Sequence, residues 1–403
     1  MPTLTPEQEL FAATVARVAE EKIAPIGARM EEEDKFPHDL LDLYRELGWL
    51  SLMTPERYGG AEAGSTEWVI LAEGIARVNA AAAQMFENFG PAIPLRFMGS
   101  PEQQDRLFPL LDERVGCFAA TEPEAGSDLG GIRTHAVDKG GSFLINGEKC
   151  FITNGSVANF FALVATVEPG SGWRGLRMFM VDGLESPGVS VIREERKMGL
   201  RGSSLAALAF DNVEIPAENM IGGDTGLRSA QRLLDFARPN VAGMACGLAA
   251  GAMEYALAYT LERKAFGKPV YEFQGVSFPI ADMAIRIEAG RELAYKAAQA
   301  VDAGDPRAGE LASMAKVFCT DMAMAVTTDA VQCLGGHGYL KDHPVERMMR
   351  DAKVMQIYIG TNQIQRMLIA EALARRVRGS TRPGMGQGPH PPEEPGCRGP
   401  GGK

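Results

Sequence analysis

Apolar residues recur at three- to four-residue spacing from residue 5 to about residue 111, for example Leu10, Ala13, Val15, Val18 and Ile23, then Leu40, Leu41, Leu43, Leu47 and Leu50. That spacing puts them on one face of a helix and predicts a helical first domain over residues 1–114. PERYGG at 55–60 breaks it, and Ser100-Pro101-Glu102 has the form of a helix start with proline at the first helical position. From about Val115 the period changes. Short β-prone runs at 142–145, 160–166, 177–181, 189–192 and 206–210 alternate with turn signals such as Lys139-Gly140-Gly141 and Asn146-Gly147. This predicts a mainly antiparallel β domain over 115–226. Helical spacing returns over 227–378, with Gly243, Ala245, Gly247 and Ala250 small enough for close helix contact, which predicts a helical bundle. Residues 379–403 are dominated by Gly, Pro and charge, bury too little apolar surface to order themselves, and are expected to be disordered.

Length and composition narrow the function. The 403 residues allow two or three domains at roughly 150 residues each. With 41 Lys and Arg against 52 Asp and Glu the formal net charge is −11, which disfavours a general nucleic-acid surface. No uninterrupted apolar run reaches the roughly 20 residues of a membrane span, and the N-terminal sequence is polar and amphipathic, so a cytoplasmic protein without a membrane span is expected. Six cysteines (Cys117, Cys150, Cys246, Cys319, Cys333, Cys397) are scattered without a CxxC pair, and five histidines form no HExxH. Reduced thiols and no metal centre follow as expectations. Despite 46 glycines there is neither a Walker loop nor a GxGxxG between strand and helix, so a nucleotide would be held some other way.

Six segments in order carry a resemblance: PERYGG at Pro55, ATEPEAGSD at Ala120, GEKCFITNG at Gly147, LERKAFGKP at Leu261, QCLGGHGY at Gln332 and RDAKVMQIYIGTNQIQR at Arg350. Together they resemble the acyl-CoA dehydrogenases, over nearly all of residues 5–378. The resemblance implies a mainly α fold with an N-terminal helical domain, a middle antiparallel β barrel or sandwich and a C-terminal four-helix bundle. It also implies FAD, held by Phe118, Thr121, Gly126, Ser127, Phe151 and Thr153 of the β domain together with Thr361 and Gln363. Arg263, Phe266, Gln274, Gln332 and Gly336 would reach the flavin of a neighbouring subunit, in a homotetramer or homodimer. The chemistry of these residue types is consistent with that. Thr and Ser hydroxyls and loop amides suit flavin heteroatoms and phosphate oxygens, and a guanidinium such as Arg263 suits a pyrophosphate. Ser127, Asp235, Arg238 and Gly360 match positions that contact the acyl-CoA; the i,i+3 spacing of Asp235 and Arg238 equally permits an ion pair on a helix. An electron-transfer flavoprotein or another acceptor is implied as electron partner.

One element of the pattern is missing. In relatives a carboxylate removes the α-proton of the thioester, either after Tyr in IYxGT or just before the Arg of the segment holding Arg238. Here those positions are Ile359 and Ala237, neither of which accepts a proton. A positioned base contributes roughly 10²- to 10⁴-fold, so ordinary α,β-desaturation should be severely impaired. The flanking Gly360, Thr361 and Gln363 remain, which argues for altered chemistry over decay. Glu87, in the apolar stretch QMFENFG, is the expected replacement, because desolvation would raise its pKa toward neutrality; the alternative is a solvated or salt-bridged Glu87 without a catalytic role. By the resemblance it would act on a carbon further from the thioester, as in relatives that desaturate cyclic acyl-CoAs by 1,4-elimination. His337 and Tyr358 are weaker candidates. The alternatives are an acyl-CoA lyase, a decarboxylase or desulfinase needing no α-proton base, and a non-catalytic acyl-CoA-binding homologue.

Overall fold

A computed structural model describes residues 3–378 except residues 112 and 224–229; the side chains of 87, 88 and 230–232 also fall outside the description. The expected disordered tail, with Cys397 and His390, and the start of the second helical domain at Leu227 lie outside the described residues.

Among the described residues the first region forms seven α-helices: α1 Pro6–Val18, α2 Ala24–Glu33, α3 His38–Glu46, α4 Ser65–Ala76, α5 Ala80–Gln84, α6 Ala92–Met98 and α7 Pro101–Leu111. Thr5 caps α1 with a capping box, its hydroxyl accepting from the Gln8 amide at 3.2 Å while the Gln8 side chain accepts from the Thr5 amide at 3.0 Å. Pro101 opens α7, where its missing N–H costs nothing.

The middle region holds β1 Gly116–Ala119, β2 His135–Asp138, β3 Ser142–Thr153, β4 Phe160–Thr166, β5 Leu176–Val181, β6 Val189–Glu194, β7 Leu205–Pro216 and β8 Met220–Ile221. They form one sheet in the order β6-β7-β3-β2-β4-β5-β8, with β1 pairing β4 in parallel. The main ladders are antiparallel, and the sheet's own core is Phe143, Ile145, Phe161, Leu163, Phe179, Leu208, Phe210 and Ile215 among others. Asn146-Gly147 is not the expected hairpin turn. It lies inside β3 at a register shift against β7, Gly147 has φ +151°, and a Cβ there would run into Thr134. The glycine serves a bulge and a close approach, so β3 continues to Thr153 where the turn reading stops it at 145.

The last region comprises α8 Ala230–Glu262, a short hairpin of β9 Lys264–Ala265 and β10 Lys268–Pro269, then α9 Gln274–Asp302, α10 Ala308–Cys333, α11 Val345–Met355 and α12 Asn362–Val377. Helices α8, α9 and α10 pack on one another, with α11 and α12 against α10. α4 packs along α8, so the two helical regions share one core. The expected small residues make this possible: a Cβ on Gly247 or Gly251 would collide with the Glu73 or Arg77 carbonyl oxygen of the α4 region. Although no uninterrupted apolar run is long enough, residues 233–262 of α8 are long and apolar enough to cross a membrane, with a mean hydropathy of 1.4. In this fold 67% of that apolar window is buried inside the protein. Cys117, Cys150, Cys246 and Cys319 are buried thiols and Cys333 is half-buried, none in a disulfide.

Candidate active site

Two neighbouring stretches of the β domain bring the first group of candidates together. The Cys150 amide donates to the Thr121 carbonyl at 2.9 Å, which lays the ATEPEAGSD loop beside β3. Beneath that contact is a buried ion pair. Lys149 Nζ donates to Glu122 Oε1 at 2.7 Å and to the Ala120 carbonyl at 2.9 Å, and Glu122 also accepts the Arg133 and Thr134 amides at 2.7 and 2.9 Å. Burial pulls the Lys149 ammonium down to about 8 against the attraction of Glu122. Burial alone would raise the Glu122 carboxyl, but Lys149 and the donors on it outweigh that and hold it below its ordinary value. Both groups are therefore charged at neutral pH and pin the two stretches. Motif reading passed over this pair; the signal was a lysine at an inward position of a strand flanked by buried Cys150.

With those segments fixed, Phe151 presents a ring that is 60% exposed, from a backbone at φ +57°. A large aromatic held in the left-handed region and turned outward is costly unless something lies against it. Thr121 and Thr153 are half-buried, Phe118 is half-buried on β1, and Gly126 and Ser127 are exposed on the loop. An open ring, on segments that also carry hydroxyls and loop amides, fits an isoalloxazine.

Arg263, Phe266, Gln274, Gln332 and Gly336 are all exposed or half-buried, Phe266 at 96% exposure. They sit on the end of α8, the β9–β10 hairpin, the start of α9 and the turn after α10; Tyr259 of α8 meets His337 of that turn at 5.9 Å between ring centroids. Among the described residues no hydrogen bond, ion pair or ring contact joins these five to Thr121, Ser127, Phe151 or Thr153. His337 is exposed and packs its ring on His343 as well, at 5.7 Å.

Asp235 and Arg238 form the i,i+3 ion pair that their spacing permits, at 2.9 Å. Arg238 is 2% exposed and also donates to Ser313 Oγ at 3.4 Å, while its buried Nε has no partner among the described residues. Burial lowers its guanidinium from the ordinary value, with Asp235 opposing. Ala237, between them, and Ile359 both pack against the main core, so the two positions at which the resemblance leads one to expect a carboxylate are apolar.

The loop bearing Ile359 is held from below. Ile359 has φ +51° and Gly360 φ +82°. For a β-branched residue that conformation costs of order 1–3 kcal/mol and must be imposed by its surroundings. Gln365 Nε2 donates to the Ile359 and Gly360 carbonyls at 3.1 and 3.2 Å, and Lys316 Nζ donates to the Gly360 carbonyl at 3.0 Å and to Asn362 Oδ1 at 2.8 Å. Thr361 caps α12, accepting from the Ile364 amide at 3.3 Å, and Gln363 is exposed. Lys316 is fully buried; burial, with Arg238 adding, pulls its ammonium down to about 7. Lys316 and Gln365 were also missed in the sequence, although Lys316 falls in phase with Ala312, Ala315 and Cys319 on an apolar helix face.

Glu87 lies in a 3-10 turn, Met85–Phe89, and its side chain is outside the described residues. Its neighbours are described. Met85, Phe86 and Phe89 are buried, Phe89 meets Trp68 at 5.4 Å, and Trp68 meets Phe236 at 6.0 Å. The Met85 carbonyl accepts from Asn154, the residue after Thr153, at 3.4 Å. The turn is thus tied at one end to Asn154, just after β3, and at the other, through Trp68, to the residue preceding Ala237.

Three family models match in sequence: the acyl-CoA dehydrogenase N-terminal domain over residues 5–112, the middle domain over 117–213 and the C-terminal domain over 224–374. The chain belongs to the acyl-CoA dehydrogenase family. It is 44% identical over 378 residues, 93% of this chain and 99% of the other, to the cyclohex-1-ene-1-carbonyl-CoA dehydrogenase of Geobacter metallireducens. The solved butyryl-CoA dehydrogenase of Megasphaera elsdenii superposes with a TM-score of 0.89 at 36% identity, covering 93% of this chain and 99% of that one. A chain in a structure described as the electron transferring flavoprotein of Acidaminococcus fermentans gives a TM-score of 0.89 at 37% identity, covering 93% and 100%. As a member of this family the protein is an acyl-CoA dehydrogenase-like flavoprotein that uses FAD, and the exposed Phe151 fits that cofactor.

Proposed function

We propose that the chain desaturates an unsaturated or alicyclic acyl-CoA, with Glu87 taking the proton in place of residue 359. The observation that carries this reading is the pairing of an intact, clamped IYIGT loop with apolar side chains at both customary base positions, Ile359 and Ala237. FAD, when bound, supplies the acceptor for two electrons; Phe118, Thr121, Gly126, Ser127, Phe151, Thr153, Thr361 and Gln363 would hold it, with Arg263, Phe266, Gln274, Gln332 and Gly336 of a second subunit. The residues of this chain must then bind the thioester and remove a proton. Arg238, buried and carrying an unpartnered Nε, suits the negative charge that develops as the proton leaves. Asp235 orients Arg238 through their ion pair and, with Ser127 and Gly360, belongs to the acyl-CoA contact set.

By the resemblance, a base on the Met85–Phe89 turn would act on a carbon remote from the thioester. A ring or a conjugated double bond brings such a carbon into electronic contact with the carbonyl, and the Geobacter relative's ring substrate supports that class. The electrons would pass to an electron-transfer flavoprotein, and the enzyme would work as a cytoplasmic homotetramer.

The test is anaerobic single turnover with cyclohex-1-ene-1-carbonyl-CoA, following flavin bleaching. Glu87→Gln should slow bleaching by at least about 10²-fold; an unchanged rate would remove Glu87 from the mechanism. In the same assay with a carboxylated or sulfinated acyl-CoA, loss of CO2 or sulfite while the flavin stays oxidised would instead indicate the lyase.

A further inference from the structure

Resting on the reading that residue 359 borders the acyl cleft, we propose that Lys316 and Gln365 act as positioning residues: a two-pronged carbonyl clamp that holds Ile359 left-handed and thereby sets the shape of the cleft. Among the described residues no backbone amide donates to the Ile359 or Gly360 carbonyl, so these two side chains supply the donors. The Gly360 carbonyl has one donor from α10 and another from α12, and the Ile359 carbonyl has one from α12. Three donor contacts converge on two consecutive carbonyls, and both donors come from side chains that are fully buried. Between them is a peptide that a β-branched residue would leave if free to do so, since φ +51° crowds its Cβ against its own backbone.

The far ends of the clamp are rigid. Lys316 is locked by its second bond, to Asn362, whose Nδ2 donates to Thr320 Oγ1 at 2.9 Å and to Asp321 Oδ1 at 2.8 Å. Gln365 packs so closely over Gly360 that a Cβ at 360 would strike its amide nitrogen. Position 360, at φ +82°, stays glycine, and the direction of the residue before it is dictated by α10 and α12 whatever that residue is. With a carboxylate at 359 the same clamp would aim a base; with isoleucine it aims a branched apolar wall, which shapes the cleft for a flat or cyclic acyl group over a linear one.

The experiment has two arms on the FAD-loaded enzyme. First, a crystal structure of Lys316→Met/Gln365→Leu should show residue 359 at negative φ; retention near φ +51° would overturn the proposal whatever the substrate is. Second, binding of cyclohex-1-ene-1-carbonyl-CoA, butanoyl-CoA and free coenzyme A is read from flavin absorbance. Lys316→Met should weaken the cyclic thioester at least tenfold and leave free coenzyme A unchanged. In an Ile359→Gly background, where the left-handed backbone costs little, the same change should weaken it less than threefold. Equal losses in both backgrounds, or none, would make Lys316 merely structural and overturn the proposal. Gln365→Leu alone replaces the double variant if the latter does not fold. Failure of the wild-type enzyme to bind or turn over the cyclic thioester would count against the substrate reading and leave the crystallographic arm to decide the clamp.

Discussion

If residue 359 borders the acyl cleft as proposed, its side chain alone decides between two chemistries on one backbone. The loop is fixed by Lys316, Gln365 and the Thr361 cap, none of which depends on the identity of the residue they position. Ile359→Glu should therefore deliver a carboxylate into a prepared site and confer flavin reduction by butanoyl-CoA, with a gain of at least about 10²-fold over the parent. Anaerobic bleaching measures it, and no gain would show that the cleft around 359 is not that of an ordinary dehydrogenase. The buried Lys149 and Glu122 illustrate the complementary case: they touch neither customary base position, yet they fix the segments carrying Thr121 and Phe151.

Among the elements, α4 and α8 show packing overriding intrinsic preference. Helix propensity alone makes Gly247→Ala stabilising by about 1 kcal/mol. The added Cβ would press on the Glu73 carbonyl, a backbone atom that moves only if the helix moves, so the variant should lose about 1–3 kcal/mol, read as a lower urea midpoint. A rise in the midpoint would reverse the assignment of these glycines. Periodicity found the helices, and the small residues at Gly243 and Gly247 announced a close contact, but not that α4 would be the partner. β4, β5 and the start of β7 were legible as apolar runs, whereas the second half of β3 was not, because Asn146-Gly147 reads as a turn and acts as a bulge. Ordered motifs pointed to the residues proposed to hold the flavin. Lys316, Gln365, Lys149 and Glu122 were not, because a buried polar residue is identified by its partners, and those are mostly distant in sequence.

Across the whole molecule, the regions meet at a joint of charge. Arg350 of α11 pairs with Glu31 of α2 at 2.7 Å and donates to the Met198 carbonyl at 2.9 Å, while fully buried Asp351 accepts from the Leu200 amide at 2.5 Å. Burial pushes the Asp351 carboxyl up to about 6, with the Leu200 bond and Arg347 opposing. A raised pKa means the folded form holds the proton more tightly, so this contribution is complete below about pH 4 and is lost as pH rises through 6. Asp351→Asn, neutral throughout and still able to accept from Leu200, should gain stability on the parent between about pH 4 and pH 7.5, by up to about 3 kcal/mol, read from thermal midpoints across that range. A constant difference would contradict it. The shared core has a further consequence, for the order in which the chain is made. Arg77 after α4 and Glu254 of α8, joined at 2.7 Å, are 177 residues apart in sequence. At a synthesis rate of roughly 5–20 residues per second, α4 waits about 10–35 s on the ribosome before its partner exists. The β domain, with a core of its own, is complete in that interval, so a nascent chain would carry a folded middle and an apolar, chaperone-binding first segment.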